Sequence, residues 1–137
     1  MAIQATLEGN LTRNPEGKCI VIDDVPRDLV EMRVFSDVNR RNADGGWVQD
    51  DERSGAVDVT IWAEKLGAEV LRLFRKGARV LVTGQLHLHE YVDTSGERHA
   101  MLRMTADAVG LQPYRIETLD FRPPRDRSEV PAESAAA

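Results

Sequence analysis

Three histidines, one cysteine and a few outward-facing aromatic rings are the residues of this chain whose types and spacing bear on chemistry. His87 and His89 alternate in the run GQLHLHEY, and a hairpin closed between Asp93 and Glu97 brings His99 to the same face. Three imidazoles together resemble a tetrahedral metal centre, which also needs a fourth position and a tight supporting shell. His-x-His on a strand offers little of that support, and no carboxylate or water-activating group completes the set, so neither a metal nor a cofactor is expected. Cys19 stands alone: it has no intrachain disulfide partner and no evident activating neighbour. No GxxxxGK phosphate loop and no nucleophile elbow occurs, and the expectation is that the chain is not an enzyme. What remains is the rings. Of Phe35, Trp47, Trp62, Phe74, Tyr91, Tyr114 and Phe121, Trp62 and Tyr91 fall on strand positions that face away from the core, and Trp47 sits in a polar stretch.

The elements that must position these side chains are mostly of period two. Ile3, Ala5 and Leu7 alternate in a first strand, and turn residues then precede a short apolar run at 19–22. Between 29 and 39, Val30, Met32, Val34 and Val38 alternate with a polar series that only Phe35 interrupts. Residues 40–55 are polar and glycine-containing, which predicts a long loop or an extended hairpin. Val57, Val59 and Ile61 mark another strand, with Ala56, Asp58, Thr60 and Trp62 on its opposite face. The stretch AEKLGAEVLRLFRKG then switches to period 3.6, with Leu66, Val70, Leu73 and Phe74 on one side and Gly77 placed to end the helix.

After that helix, Val80, Val82, Leu86 and Leu88 are expected to face inward, with a bulge or bend at Gly84. DTSG suits a type I turn with Gly96 left-handed. Counting back from it pairs Tyr91 with His99, His89 with Met101 and His87 with Arg103, and sets Leu88 against Leu102 and Leu86 against Met104. The expected fold is all-β: a five-stranded Greek-key barrel of the oligonucleotide-binding type with one helix between strands 3 and 4.

Composition bounds the partners. The 137 residues suffice for one core without staples, and no apolar run approaches the roughly 20 residues of a membrane-spanning helix. The start MAIQATLEGN has no signal-peptide pattern, which with the lone cysteine leads to the expectation of a cytoplasmic protein without a membrane partner. Four of the six prolines lie from Pro113 onward, so the chain divides into a domain over 1–112 and a largely disordered tail over 113–137 with a short ordered piece at 114–119. The formal charge of −5 argues mildly against nucleic acid as a partner. Residues 1–112 hold 14 basic and 18 acidic groups, residues 113–137 hold 4 and 5, so the acidity belongs to the domain.

From Ile3 to Val109 the chain resembles the bacterial single-stranded-DNA-binding proteins. The resemblance rests on Gly9-Asn10-Leu11-Thr12 with Asn14-Pro15-Glu16, Asn39-Arg40-Arg41 with Asp44-Gly45-Gly46-Trp47, and Val59-Thr60-Ile61-Trp62 running into Lys65-Leu66-Gly67-Ala68-Glu69-Val70. It continues with Arg75-Lys76-Gly77-Ala78-Arg79-Val80, Gly84-Gln85-Leu86 and Tyr91-Val92-Asp93-Thr94-Ser95-Gly96-Glu97-Arg98. Each piece alone is weak; their order and spacing make the signal. The resemblance implies a protein, usually a homotetramer, that coats single-stranded DNA during DNA replication, recombination and repair. Stacking of bases on exposed rings gives about 1–3 kcal/mol per base without sequence preference, and Lys and Arg follow the phosphates. The residues it points to are Trp62, Tyr91 and Trp47 for stacking, with Thr60, Arg40, Arg41, Lys65, His87, His89 and Arg98 around them.

Departures from the family pattern shape the expectations. Ala56 stands where many relatives carry an aromatic. Asp58 stands where a basic residue is often found and is expected to repel phosphate. His87 and His89 stand where Arg or Lys is common, and unperturbed imidazole is mostly neutral at pH 7. The chain ends in Glu133-Ser134-Ala135-Ala136-Ala137 rather than in an acidic tip with an apolar terminus, so recruitment of repair proteins by such a tip is doubtful. The competing reading is a replication-accessory or protein-interaction module on the same barrel, binding nucleic acid weakly.

Overall fold

The computed structural model describes residues 3–124. Its elements in chain order are β1 (Ile3–Leu11), β2 (Glu16–Ile22), β3 (Val25–Ser36), β4 (Asn39–Arg41), β5 (Trp47–Gln49), β6 (Gly55–Ile61), α1 (Glu64–Leu73), β7 (Arg79–Val92) and β8 (Arg98–Leu111). Strands β1, β7, β8, β6 and β3 follow one another in the main sheet, and β1 also pairs with β3 through Asn10↔Phe35 and Leu11↔Val34. That pairing closes a ring of five strands. Among them β6 and β8 run parallel and the other pairs antiparallel, with α1 between the third and fourth ring strands, as the sequence predicts.

Alternation fills the barrel. Met32, Val34, Val59, Ile61, Val80, Val82 and Met104 are nearly inaccessible, and Val70 and Phe74 of the helix segment close one end. Two glycines permit the closest approaches. A Cβ on Gly67 of α1 would lie 2.8 Å from Val30 Cγ2, so its absence lets the helix settle on β3. A Cβ on Gly84 would lie 2.1 Å from the carbonyl oxygen of Thr105, and the β7–β8 register shifts between Thr83 and Gly84, so the expected bulge is present.

Three expectations need correction. The helix ends at Leu73 rather than at Gly77, because Phe74 leaves the helical path, φ −89° and ψ 142°, to bury its ring; Gly77 then turns the chain at φ +89°. Leu73 consequently lies 49% exposed rather than in the core. Leu88 is 58% exposed: it does occupy the core-facing side of β7, but there the β7–β8 hairpin has run past the barrel. Residues 40–55, expected as a long loop or an extended hairpin, do contain a hairpin: the part through 49 belongs to β4–β5, whose turn is tied by Asn42 Oδ1 accepting from the backbone N–H of Asp44 and Gly46. After Leu111 the described residues form no further strand or helix, and the rest of the expected tail, 125–137, lies outside them.

Candidate nucleic-acid interface

Paired residues in a sheet point to the same side, so the register lays out the barrel's outer face row by row. Arg33 pairs with Asp58, Asp58 with Arg103 and Arg103 with His87, which sets four polar side chains in one line across β3, β6, β8 and β7. The neighbouring row is Glu31, Thr60, Thr105 and Gln85. Glu31 is held by Lys18 at 2.6 Å, which offsets its charge at the edge of the surface.

The first row changes the reading of Asp58. Its Oδ1 is buried and accepts no hydrogen bond, while Arg33 Nη1 stands 3.9 Å away and Arg103 is its ladder neighbour on the other side. One carboxylate between two guanidinium groups leaves the row net positive, so the expected repulsion of phosphate is offset where it arises. Neither Arg33 nor Arg103 stands out from the sequence motifs. Both are signalled by alternation, Arg33 between Met32 and Val34 and Arg103 through its pairing with His87.

Aromatic residues flank these rows. Trp62 follows β6 directly and is half-buried, with the Arg27 guanidinium carbon 5.4 Å from its ring centroid. Along the β7–β8 hairpin, Tyr91 lies between two imidazoles: His99 at 5.3 Å and 27°, His89 at 6.0 Å and 22°. The three rings form one nearly parallel tier, and Tyr91 stays 44% exposed. Trp47, 66% exposed, pairs with Arg41 across β4–β5, and the Arg41 guanidinium covers it at 5.1 Å. Arg40, paired with Val48, occupies the other face of that hairpin.

Two further candidates stand apart. Lys65 is exposed in the first turn of α1, beyond Trp62. Arg98 pairs with Val92, which puts it on the hairpin face opposite Tyr91, alongside Leu88 and Leu102 rather than with the rings.

At the hairpin tip Asp93 acts as a hub. Its Oδ1 accepts from the backbone N–H of Ser95 (3.0 Å) and Glu97 (2.9 Å) and from Ser95 Oγ (2.8 Å), while Oδ2 meets His99 Nε2 at 2.7 Å. The His99 bond first, then the Ser95 and Glu97 donors, hold the Asp93 carboxyl at a pKa of about 2. The potential ligand atoms gathered within 4.8 Å are those of Asp93, Glu97 and His99, not the three histidines considered from sequence, and His99 there is engaged by Asp93.

Residues 3–112 match the single-strand binding protein family, and the chain belongs to it. Among solved structures, it is similar to the small single-stranded DNA-binding protein of Streptomyces coelicolor, with 18% identity and a TM-score of 0.67 over 81% of this chain and 94% of that one. It is also similar to the Plasmodium falciparum SSB solved in complex with single-stranded DNA, with 14% identity and a TM-score of 0.59 over 79% of this chain and 90% of that one. At these identities the likeness is one of fold. No curated protein matches the sequence.

Proposed function

We propose that this chain binds and protects single-stranded DNA without sequence preference during DNA replication, recombination and repair, by stacking and phosphate contacts and without catalysis. The observation that carries the reading is the net-positive row Arg33–Asp58–Arg103–His87, lying between Trp62 and the His89–Tyr91–His99 tier. Cations in the middle suit a phosphate backbone, and rings on either side suit unstacked bases of any identity. Thr60 adds a hydroxyl in the adjoining row, Trp47 and Arg41 extend the surface from the β4–β5 hairpin, and Arg40, Lys65 and Arg98 serve as peripheral phosphate contacts.

The working form in this reading is a cytoplasmic homotetramer. Supporting self-association are exposed apolar side chains: Leu88, Val92 and Leu102 (58%, 61% and 40%) under the hairpin, with Ile3 (47%) on that same side of the sheet through its pairing with Leu86, and separately Leu81 (40%) on the outer side of β7. Among the described residues no helix is long and apolar enough to cross a membrane. The domain over 1–112 carries the binding in this reading, and 113–137 is a tail.

Titration of an oligothymidylate at two salt concentrations, followed by tryptophan fluorescence, tests the proposal. Strong quenching that weakens with salt is expected. Absence of quenching at low salt, together with stoichiometric binding of a protein partner, would favour the accessory-module reading instead.

A further inference from the structure

On the outward side of β3, Phe35 follows the charged residues Glu31 and Arg33, and its place in the register is informative. It pairs with Ala56 of β6 and so faces the same way as Ala56, Asp58 and Trp62. It lies two residues along β3 from Arg33, about 7 Å at the strand rise, so it borders the Arg33–Asp58–Arg103–His87 row on the side away from Trp62. An outward-facing phenylalanine with no core to enter ordinarily gains cover from a bulky cross-strand partner. Here the β6 partner is a methyl group and the β1 partner is the polar Asn10, and Phe35 remains neither buried nor fully exposed. The pair makes a step: a ring rising beside the low Ala56, at the border of a cationic row.

We propose that Phe35 is a base-stacking residue, with a nucleobase lying over Ala56 against its ring while the adjoining phosphate meets Arg33. The inference rests on the single-stranded-DNA reading above and adds a fourth ring position to it, beside Trp62, Tyr91 and Trp47. It also explains why a small residue suits position 56: a larger side chain there would fill the space the base occupies.

Three substitutions test it by oligothymidylate titration of the full chain. Phe35→Leu keeps apolar bulk and removes the ring, and roughly tenfold weaker binding is expected, the size of one stacking contact, with the melting temperature little changed. Ala56→Ile leaves Phe35 intact but fills the step, and should weaken binding to a similar degree. In a chain carrying Trp47→Phe and Trp62→Phe, Phe35→Trp supplies the single indole, and its fluorescence should be quenched as the oligonucleotide binds. If the unaltered chain binds and Trp62→Ala weakens it while Phe35→Leu does not, or if the Phe35→Trp indole is unquenched in a chain that still binds, the inference is overturned and the DNA-coating reading stands. If the unaltered chain does not bind, the coating reading falls and takes the inference with it.

Discussion

Arg27 lies over Trp62, its guanidinium carbon 5.4 Å from the ring centroid. The cation covers one face of the indole and restrains it at the end of β6; in the proposed reading the other face is the one a base meets. Trp62→Ala should weaken oligothymidylate binding by about 1–3 kcal/mol. Arg27→Ala, which removes the support but keeps the ring, should cost less, about 0.5–1 kcal/mol. Equilibrium titration of both variants checks the order. Equal losses would mean that Arg27 contacts DNA itself.

Binding should strengthen as pH falls from 8 to 6. His87 ends the row that contains Arg103, and His89 belongs to the ring tier with Tyr91. A protonated imidazole at either place adds a positive charge where phosphate is to be met. Each phosphate newly neutralised steepens the dependence of log K on log salt by about 0.7 for a single strand. Salt titrations at pH 8 and pH 6 therefore separate this effect from general acid changes. A His87→Ala, His89→Ala double variant should show a flat profile; an unchanged profile in that variant refutes the assignment.

Asp93 should titrate far below an ordinary aspartate. Its carboxyl is held at about 2 by His99 first and then by the Ser95 and Glu97 donors, against about 3.9 in an unfolded chain. The folded value is the lower one, so the tip gains stability above about pH 4, and this gain is lost as pH falls through about 2. Carboxyl chemical shifts followed through an acid titration give the value directly. In Asp93→Ala, the amide protons of Ser95 and Glu97 should exchange with solvent faster than in the unaltered chain, because both donate to that carboxylate.

Gly84→Ala should be among the most damaging conservative changes. The added methyl would meet the carbonyl oxygen of Thr105 at 2.1 Å and the Cα of Ala106 at 2.9 Å, both backbone atoms that move only if the β7–β8 ladder moves. A loss of about 1–3 kcal/mol or more in urea unfolding is expected. Gly55→Ala, where no atom lies within 4 Å of the added carbon, is the matched control.

Local pattern alone makes the β7–β8 hairpin legible. With Asp93 and Glu97 closing the turn, Leu86 and Leu88 meet Met104 and Leu102, and the pairings of Tyr91 with His99 and His87 with Arg103 are those observed. Alternation is equally sound for β3 and β6. It tells which side a residue faces, however, and not whether anything covers that side, which is why Leu88 reads as internal. Nor does it tell which strands become neighbours. Asp58 reads as hostile to phosphate because the arginines beside it come from β3 and β8, tens of residues away in the chain. The Phe35–Ala56 step is hidden for the same reason: each half is visible, one as an oddity and one as a loss, and only the β3–β6 register joins them.

The tip of the β7–β8 hairpin also has a mechanical role. Beyond the barrel the hairpin has two unlike faces, rings on one and Leu88, Val92 and Leu102 on the other, and no core decides which face points where. A slip of one residue would exchange them, presenting aliphatic side chains in place of Tyr91 and its histidines. The four-residue turn gathered by Asp93 therefore works as an index pin. Inserting one residue between Asp93 and Glu97 would change no ring and no cation, yet it would reverse the arm that carries them.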